Sequence, residues 1–169
     1  PVIQSERWIL LSPTKNLRAL SGETNFVYFP SCISRQLGMP NHDPRISNNE
    51  YRSLSETFMA IASRANIALA IPPDTSGHCC GMPFASKGYT AAYKATLHKT
   101  IHKFWEWSEQ GKYPIVIDTT SCTHTLRTCS DGLNDEDKEL WKKLTILDGV
   151  EFLHDHVLPK LKIQPVAED

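Results

Sequence analysis

Three short runs of this chain are apolar almost without interruption: NFVYF (residues 25–29), IALAI (67–71) and IVID (115–118). Pro30 cuts off the first, Pro72 and Pro73 the second, and the third ends on its own aspartate. A strand with one wet face alternates apolar and polar residues, whereas a strand covered on both faces does not. These runs therefore predict buried strands of a parallel sheet, and parallel neighbours need helical crossovers between them.

The intervening stretches supply helices. From residue 47 or 48, Tyr51, Leu54, Phe58 and Ile61 fall three and four apart, and Asn66 can end that helix. A long helix is expected over residues 86–110, with Tyr89, Tyr93, Leu97, Ile101, Phe104 and Trp105 on one side and Gly111 at its C-cap. A short helical piece after Ser121, a charged helix over 135–143, a weaker fourth strand LTIL (144–147) and a closing helix VEFLHDHVLPKL ended by Pro159 complete the pattern. The stretch GMPNHDPRISNN reads as loop. The fold expected is a Rossmann-like open α/β domain of about four parallel strands with helices on both faces.

The 169 residues suit one domain, with an N-terminal arm or linker over 1–24, the domain over 25–163, and a linker to a following module over 164–169. An opening Pro1 and a polar close, LKIQPVAED, are expected of a piece of a larger protein. A net charge of −1 offers no field for nucleic acid or anionic lipid. The N-terminal WILL is too short for a signal core, and no apolar run approaches a membrane span, so the expected compartment is the cytoplasm.

Five cysteines without a secretory signal argue against a disulfide scaffold. Their placement is more telling. Cys32 lies three residues beyond NFVYF, Cys79 and Cys80 follow IALAI before the long helix, and Cys122 lies four beyond Asp118. In a parallel sheet all strands end on the same rim, and ligands bind there. Three strands thus deliver four thiols to one rim. Crowded thiolates need a cation, and soft sulfur selects zinc or iron–sulfur clusters. Gly81 lets the backbone turn tightly beside such a group.

The segments VYFPSC, HCCGMPFASKGY and IVIDTTSCTHTLR resemble the cysteine-rich CCG domain of heterodisulfide reductase, the glycolate oxidase iron–sulfur subunit and large FAD and iron–sulfur D-lactate dehydrogenases. The flanks FPSCISRQLG, CCGMPFASKGY and VEFLHDHVLPKL are most similar to the D-lactate dehydrogenase branch. The resemblance runs over residues 26–161 and implies one domain of a tandem pair, the first. Its partners would then be a FAD module, a ferredoxin-like module and a second CCG domain, with no nucleic acid. It implies electron transfer between flavin and an iron–sulfur chain or quinone, with the whole protein cytoplasmic or peripheral at the inner membrane. By itself the piece would be a non-catalytic fragment of an oxidoreductase. One position departs: Thr125 stands where the family has the second cysteine of C-x-x-C. The four matching cysteines suffice for a cubane 4Fe-4S cluster or for zinc.

Simpler roles compete at several positions. Cys129, His78 and His124 are further candidate ligands, but Cys129 reads as a small buried hydrophobe and the two histidines as solvated loop residues. His98 and His102 have metal-compatible spacing, yet with no acid near them in the chain they read as a polar helix face. The run FWEW reads as packing, or as an interface with another module. No phosphate-binding glycine motif is present. Three functions follow: an iron–sulfur electron-transfer domain of a FAD-linked D-lactate or 2-hydroxyacid dehydrogenase, a zinc-binding assembly module, or a thiol–disulfide enzyme using Cys79 and Cys80.

Overall fold

A computed structural model describes residues 25–36 and 53–162. The predicted arm, the loop 38–49 and the predicted helix start at 47 or 48 lie outside those residues. Four strands, β1 (Asn25–Phe29), β2 (Ala68–Ala70), β3 (Ile115–Ile117) and β4 (Ile146–Asp148), form one sheet in the order β2-β1-β3-β4. Every pairing is parallel: Phe26 lies opposite Leu69, Tyr28 opposite Val116, and Val116 opposite Leu147. The fold is the expected Rossmann-like α/β sheet.

Alternate residues of each strand feed two cores, because successive Cβ atoms point to opposite faces. Val27, Phe29, Ile115 and Ile117 face a core shared with α4 (Thr90–Trp107) and α5 (Thr120–Arg127). Phe26, Tyr28, Leu69 and Val116 face a second core with α2 (Leu54–Arg64) and α7 (Gly149–Phe152). There Phe26 meets Phe152 edge-on with ring centroids 4.9 Å apart, and Phe58 stacks on Tyr28 at 5.0 Å. The remaining helices are α1 (Cys32–Gln36), α3 (Met82–Ala85) and α6 (Asp135–Trp141).

Helix boundaries follow local chemistry. Ser53 caps α2: its hydroxyl accepts from the Glu56 N–H, while the Glu56 carboxylate accepts from the Ser53 N–H at 2.7 Å. Its buried face is Ser55, Phe58 and Ala62, and Leu54 is exposed, so the predicted stripe is rotated. The long helix begins at Thr90 rather than 86, because α3 and a turn at Gly88 intervene. Tyr89 lies outside it and is exposed, and Trp107 rather than Trp105 is buried in its last turn. FWEW is mainly packing: Phe104 and Trp107 are buried, and the Trp107 indole N–H donates to Asp74 at 2.7 Å. The closing helix is short. After α7 the chain widens through a π turn (Leu153–Val157) and tightens around Pro159 (Leu158–Lys160).

The chain moves outward from β1 to β2, then returns across β1 to place β3 on the other side. The reversal puts a topological switch point between β1 and β3, the place where open α/β sheets leave a crevice at the strand ends. Cys32 follows one of those strands and Cys122 the other.

Candidate metal centre

Each thiol is carried to the rim by the segment that leaves a strand. Cys32 opens α1, Cys79 and Cys80 precede α3, and Cys122 sits in the first turn of α5. The sulfurs meet across long sequence separations. Cys79 Sγ lies 3.9 Å from Cys32 Sγ, and Cys80 Sγ lies 3.2 Å from Cys122 Sγ. Cys79 and Cys80 are adjacent in sequence, so the two close pairs join into one group running Cys32, Cys79, Cys80, Cys122. Cys80 and Cys122 are buried, while Cys32 and Cys79 are half-exposed.

The backbone around the thiols is pinned. Arg35, one turn into α1, donates through Nη2 to the His78 carbonyl at 2.6 Å and through Nη1 to the Thr75 carbonyl, tying the Cys32 helix to the segment that carries Cys79. Thr100, fully buried on α4, donates to the Cys79 carbonyl at 2.9 Å and accepts from the Cys79 N–H at 3.4 Å. Gly81 has φ +81°, and a Cβ there would stand 2.8 Å from the Tyr93 ring. Its N–H also points at Cys79 Sγ, 3.5 Å away.

Electrostatics follow from crowding and burial. The Cys79 thiol is pushed up, first by its hydrogen bond with Cys80 and then by burial. Cys80 is pushed up to about 11, chiefly because it donates to Cys122. Receiving that hydrogen bond holds Cys122 below the ordinary thiol range. Burial, then the neighbouring Cys79, raises Cys32. The Arg35 guanidinium interacts favourably with ionised Cys32, Cys79 and Cys122. It is tied into this rim through the His78 and Thr75 carbonyls, a role that sequence reasoning missed.

The other candidates separate clearly. Cys129 is buried in the core beside Leu126, whose carbonyl accepts from its thiol at 3.2 Å, and burial pushes it up to about 11. Thr125 turns its hydroxyl back to the Ser121 carbonyl at 2.8 Å. His124 is exposed. His78, expected in solvent, is only 5% exposed: its ring lies edge-on to Trp107 with centroids 5.4 Å apart, and its Nδ1 has no hydrogen-bond partner. The chain of thiols also alters the Cys79–Cys80 reading, since each of these two faces a cysteine from another strand end.

The cysteine-rich domain family, CCG, matches residues 26–127, a span that contains all four rim cysteines. The chain belongs to this family. No curated protein and no solved structure matches it. Membership of the CCG family supports a metal-binding, iron–sulfur or redox role. Among the described residues no helix is long and apolar enough to cross a membrane.

The donor set fits such a group. Four soft sulfurs gather at one crevice, and a guanidinium offsets their charge.

Proposed function

We propose that Cys32, Cys79, Cys80 and Cys122 hold an iron–sulfur cluster and that the domain is an electron-transfer module of a FAD-linked D-lactate or 2-hydroxyacid dehydrogenase. The observation that carries this reading is the meeting of four thiols from three strand ends at the switch point. A bound cluster would supply a one-electron site. The protein supplies thiolate ligands, the Arg35 charge and the Gly81 N–H near a sulfur, all of which tune such a site.

Tetrahedral zinc with Zn–S near 2.3 Å sets its sulfurs about 3.8 Å apart, close to the 3.9 Å between the Cys32 and Cys79 sulfurs and wider than the 3.2 Å between those of Cys80 and Cys122, so a bound group of either kind would part the second pair. The iron–sulfur reading is supported by the four soft donors and by membership of the CCG family. In this reading residues 25–163 are the module, 1–24 an arm, and 164–169 a connection to a second CCG domain. The FAD and ferredoxin-like modules lie elsewhere in the same flavoprotein.

The test is iron, zinc and acid-labile sulfide analysis of protein made and kept without oxygen. Brown protein with iron and sulfide, lost in Cys122→Ala, is the expected result. One zinc per chain without sulfide would select the assembly module instead, and metal-free protein would defeat both. In the whole flavoprotein, Cys122→Ala should still let substrate bleach the flavin while electron delivery to a quinone analogue fails.

A further inference from the structure

We propose that His98, His102 and Asp137 form a second metal site, apart from the thiol rim, for a divalent transition-metal ion of the zinc class. The two histidines lie one turn apart on α4, the spacing that points two imidazoles to one side of a helix. Asp137 comes from the first turn of α6, so the third group arrives by folding rather than by sequence proximity.

The three side chains converge on a common point. His98 Nδ1 lies 3.0 Å from both Asp137 carboxylate oxygens, and His102 Nε2 lies 2.9 Å from Oδ1. The ring centroids are 4.4 Å apart. All three ligand atoms fall within 4.8 Å of one another. Metal–ligand lengths of 2.0–2.1 Å place tetrahedral ligand atoms roughly 3.3–3.4 Å apart. A few tenths of an ångström of outward movement by exposed histidine side chains therefore opens room for an ion.

Burial is graded in the way an entry path requires. The Asp137 side chain is 2% exposed, whereas those of His98 and His102 are 54% and 40% exposed. The carboxylate is thus fixed by the fold, with its backbone N–H capped by Asn134 at 2.8 Å, and the imidazoles close over it from the solvent side. Lys103, next to His102 in α4, is neutralised by Asp74 at 2.7 Å and Glu106 at 2.8 Å. Two imidazoles and one carboxylate suit zinc, cobalt or nickel rather than magnesium or calcium, and they leave a fourth position for water. The ion would clamp α4 to α6.

Cobalt(II) tests this on the intact chain, prepared without oxygen. Thiolate-bound cobalt shows intense sulfur-to-metal charge transfer, whereas nitrogen and oxygen ligation shows only ligand-field bands. The expected result is one cobalt equivalent of the second kind, displaced by zinc(II), with a melting temperature that rises on zinc addition. Loss of one ligand should weaken binding about tenfold or more, since even supporting residues behind a ligand cost that much. His98→Gln, at an exposed position that leaves the fold intact, should show this loss, and so should Asp137→Asn. Wild-type protein without the sulfur-free cobalt signal would overturn the proposal. So would Asp137→Asn binding as wild type does, because the exposed histidine pair would then act alone. Failure of the thiol rim to hold metal would leave this outcome untouched.

Discussion

The Asp118 carboxylate accepts a hydrogen bond at 2.9 Å from the backbone N–H of Ser31, the residue immediately before Cys32. Its other oxygen accepts from the Tyr28 hydroxyl at 2.8 Å. The residue that ends one apolar run thereby fixes the loop leaving the neighbouring strand, and Thr119 reinforces it by donating to the Ser31 hydroxyl at 2.8 Å.

Asp118→Ala would leave the Ser31 N–H and the Tyr28 hydroxyl without that acceptor. Unsatisfied buried polar groups cost about 1–3 kcal/mol each, and because the Tyr28 hydroxyl keeps Ser55 at 3.3 Å, a loss toward the low end of the two-group sum, roughly 2–3 kcal/mol, is expected. Urea unfolding should show it. Alkylation of Cys32 in metal-free protein should accelerate relative to Cys80. An unchanged urea midpoint would remove Asp118 from this role.

Gly81→Ala combines two penalties. The positive φ costs a residue with a side chain about 1–2 kcal/mol, and the new methyl would press on the Tyr93 ring at 2.8 Å. Gly88 also has positive φ but nothing within 4 Å of its added methyl, so Gly88→Ala carries the conformational cost alone. The first variant should melt lower than the second and lose bound metal. Equal melting temperatures would mean the Tyr93 contact is readily relieved.

Cys122→Ala and Cys129→Ala should separate rim from core. Both thiols are buried, but only Cys122 touches another cysteine sulfur in the hydrogen-bonded chain. Removing the Cys129 sulfur should cost about 1 kcal/mol, a typical single-residue effect, while metal content stays at the wild-type level. Metal lost equally from both variants would bring Cys129 into the ligand set.

Arg127 and Glu151 set an acid limit on the helix that carries Cys122. Arg127 donates to Glu151 through Nη1 at 2.8 Å and to the Ile146 carbonyl through Nε at 2.8 Å, fastening α5 to β4 and α7. The guanidinium, helped by the Asp148 N–H, holds the Glu151 carboxyl down from 4.5 to about 2. Because folding lowers this value, the stabilisation is present above pH 4.5 and fades as pH falls toward 2. The pair is partly exposed, which limits its worth to about 1 kcal/mol. Glu151→Gln should therefore melt lower than wild type at pH 7, and the gap should narrow at about pH 3. A gap independent of pH would point to lost packing instead.

Strand positions were legible because a strand covered on both faces is apolar nearly throughout, and NFVYF, IALAI and IVID are, apart from the terminal Asn25 and Asp118. The meeting of the four thiols followed from the common direction of those strands. Helix faces were harder to place. Leu54 and Tyr89 fit the apolar spacing yet are exposed, because the sheet sets which way a helix turns. Pairings between distant segments left no local trace. Asp137 is 39 residues from His98, so the acid that changes the meaning of the histidine pair was invisible in the chain around it. Arg35 looked like one basic residue among many until folding brought the His78 carbonyl beside it. A positive charge three residues after a rim cysteine was the available hint.

Thr100 stands midway between His98 and His102 along α4, and two residues of helix turn the chain nearly to its opposite side. One face of a single turn therefore grips the cysteine segment while the other presents the imidazoles. A helix with its side chains is about 10–12 Å across, so α4 acts as a partition of known thickness. An unpaired spin placed on either side would shorten relaxation on the other by an amount that reports this separation, giving the domain an internal ruler.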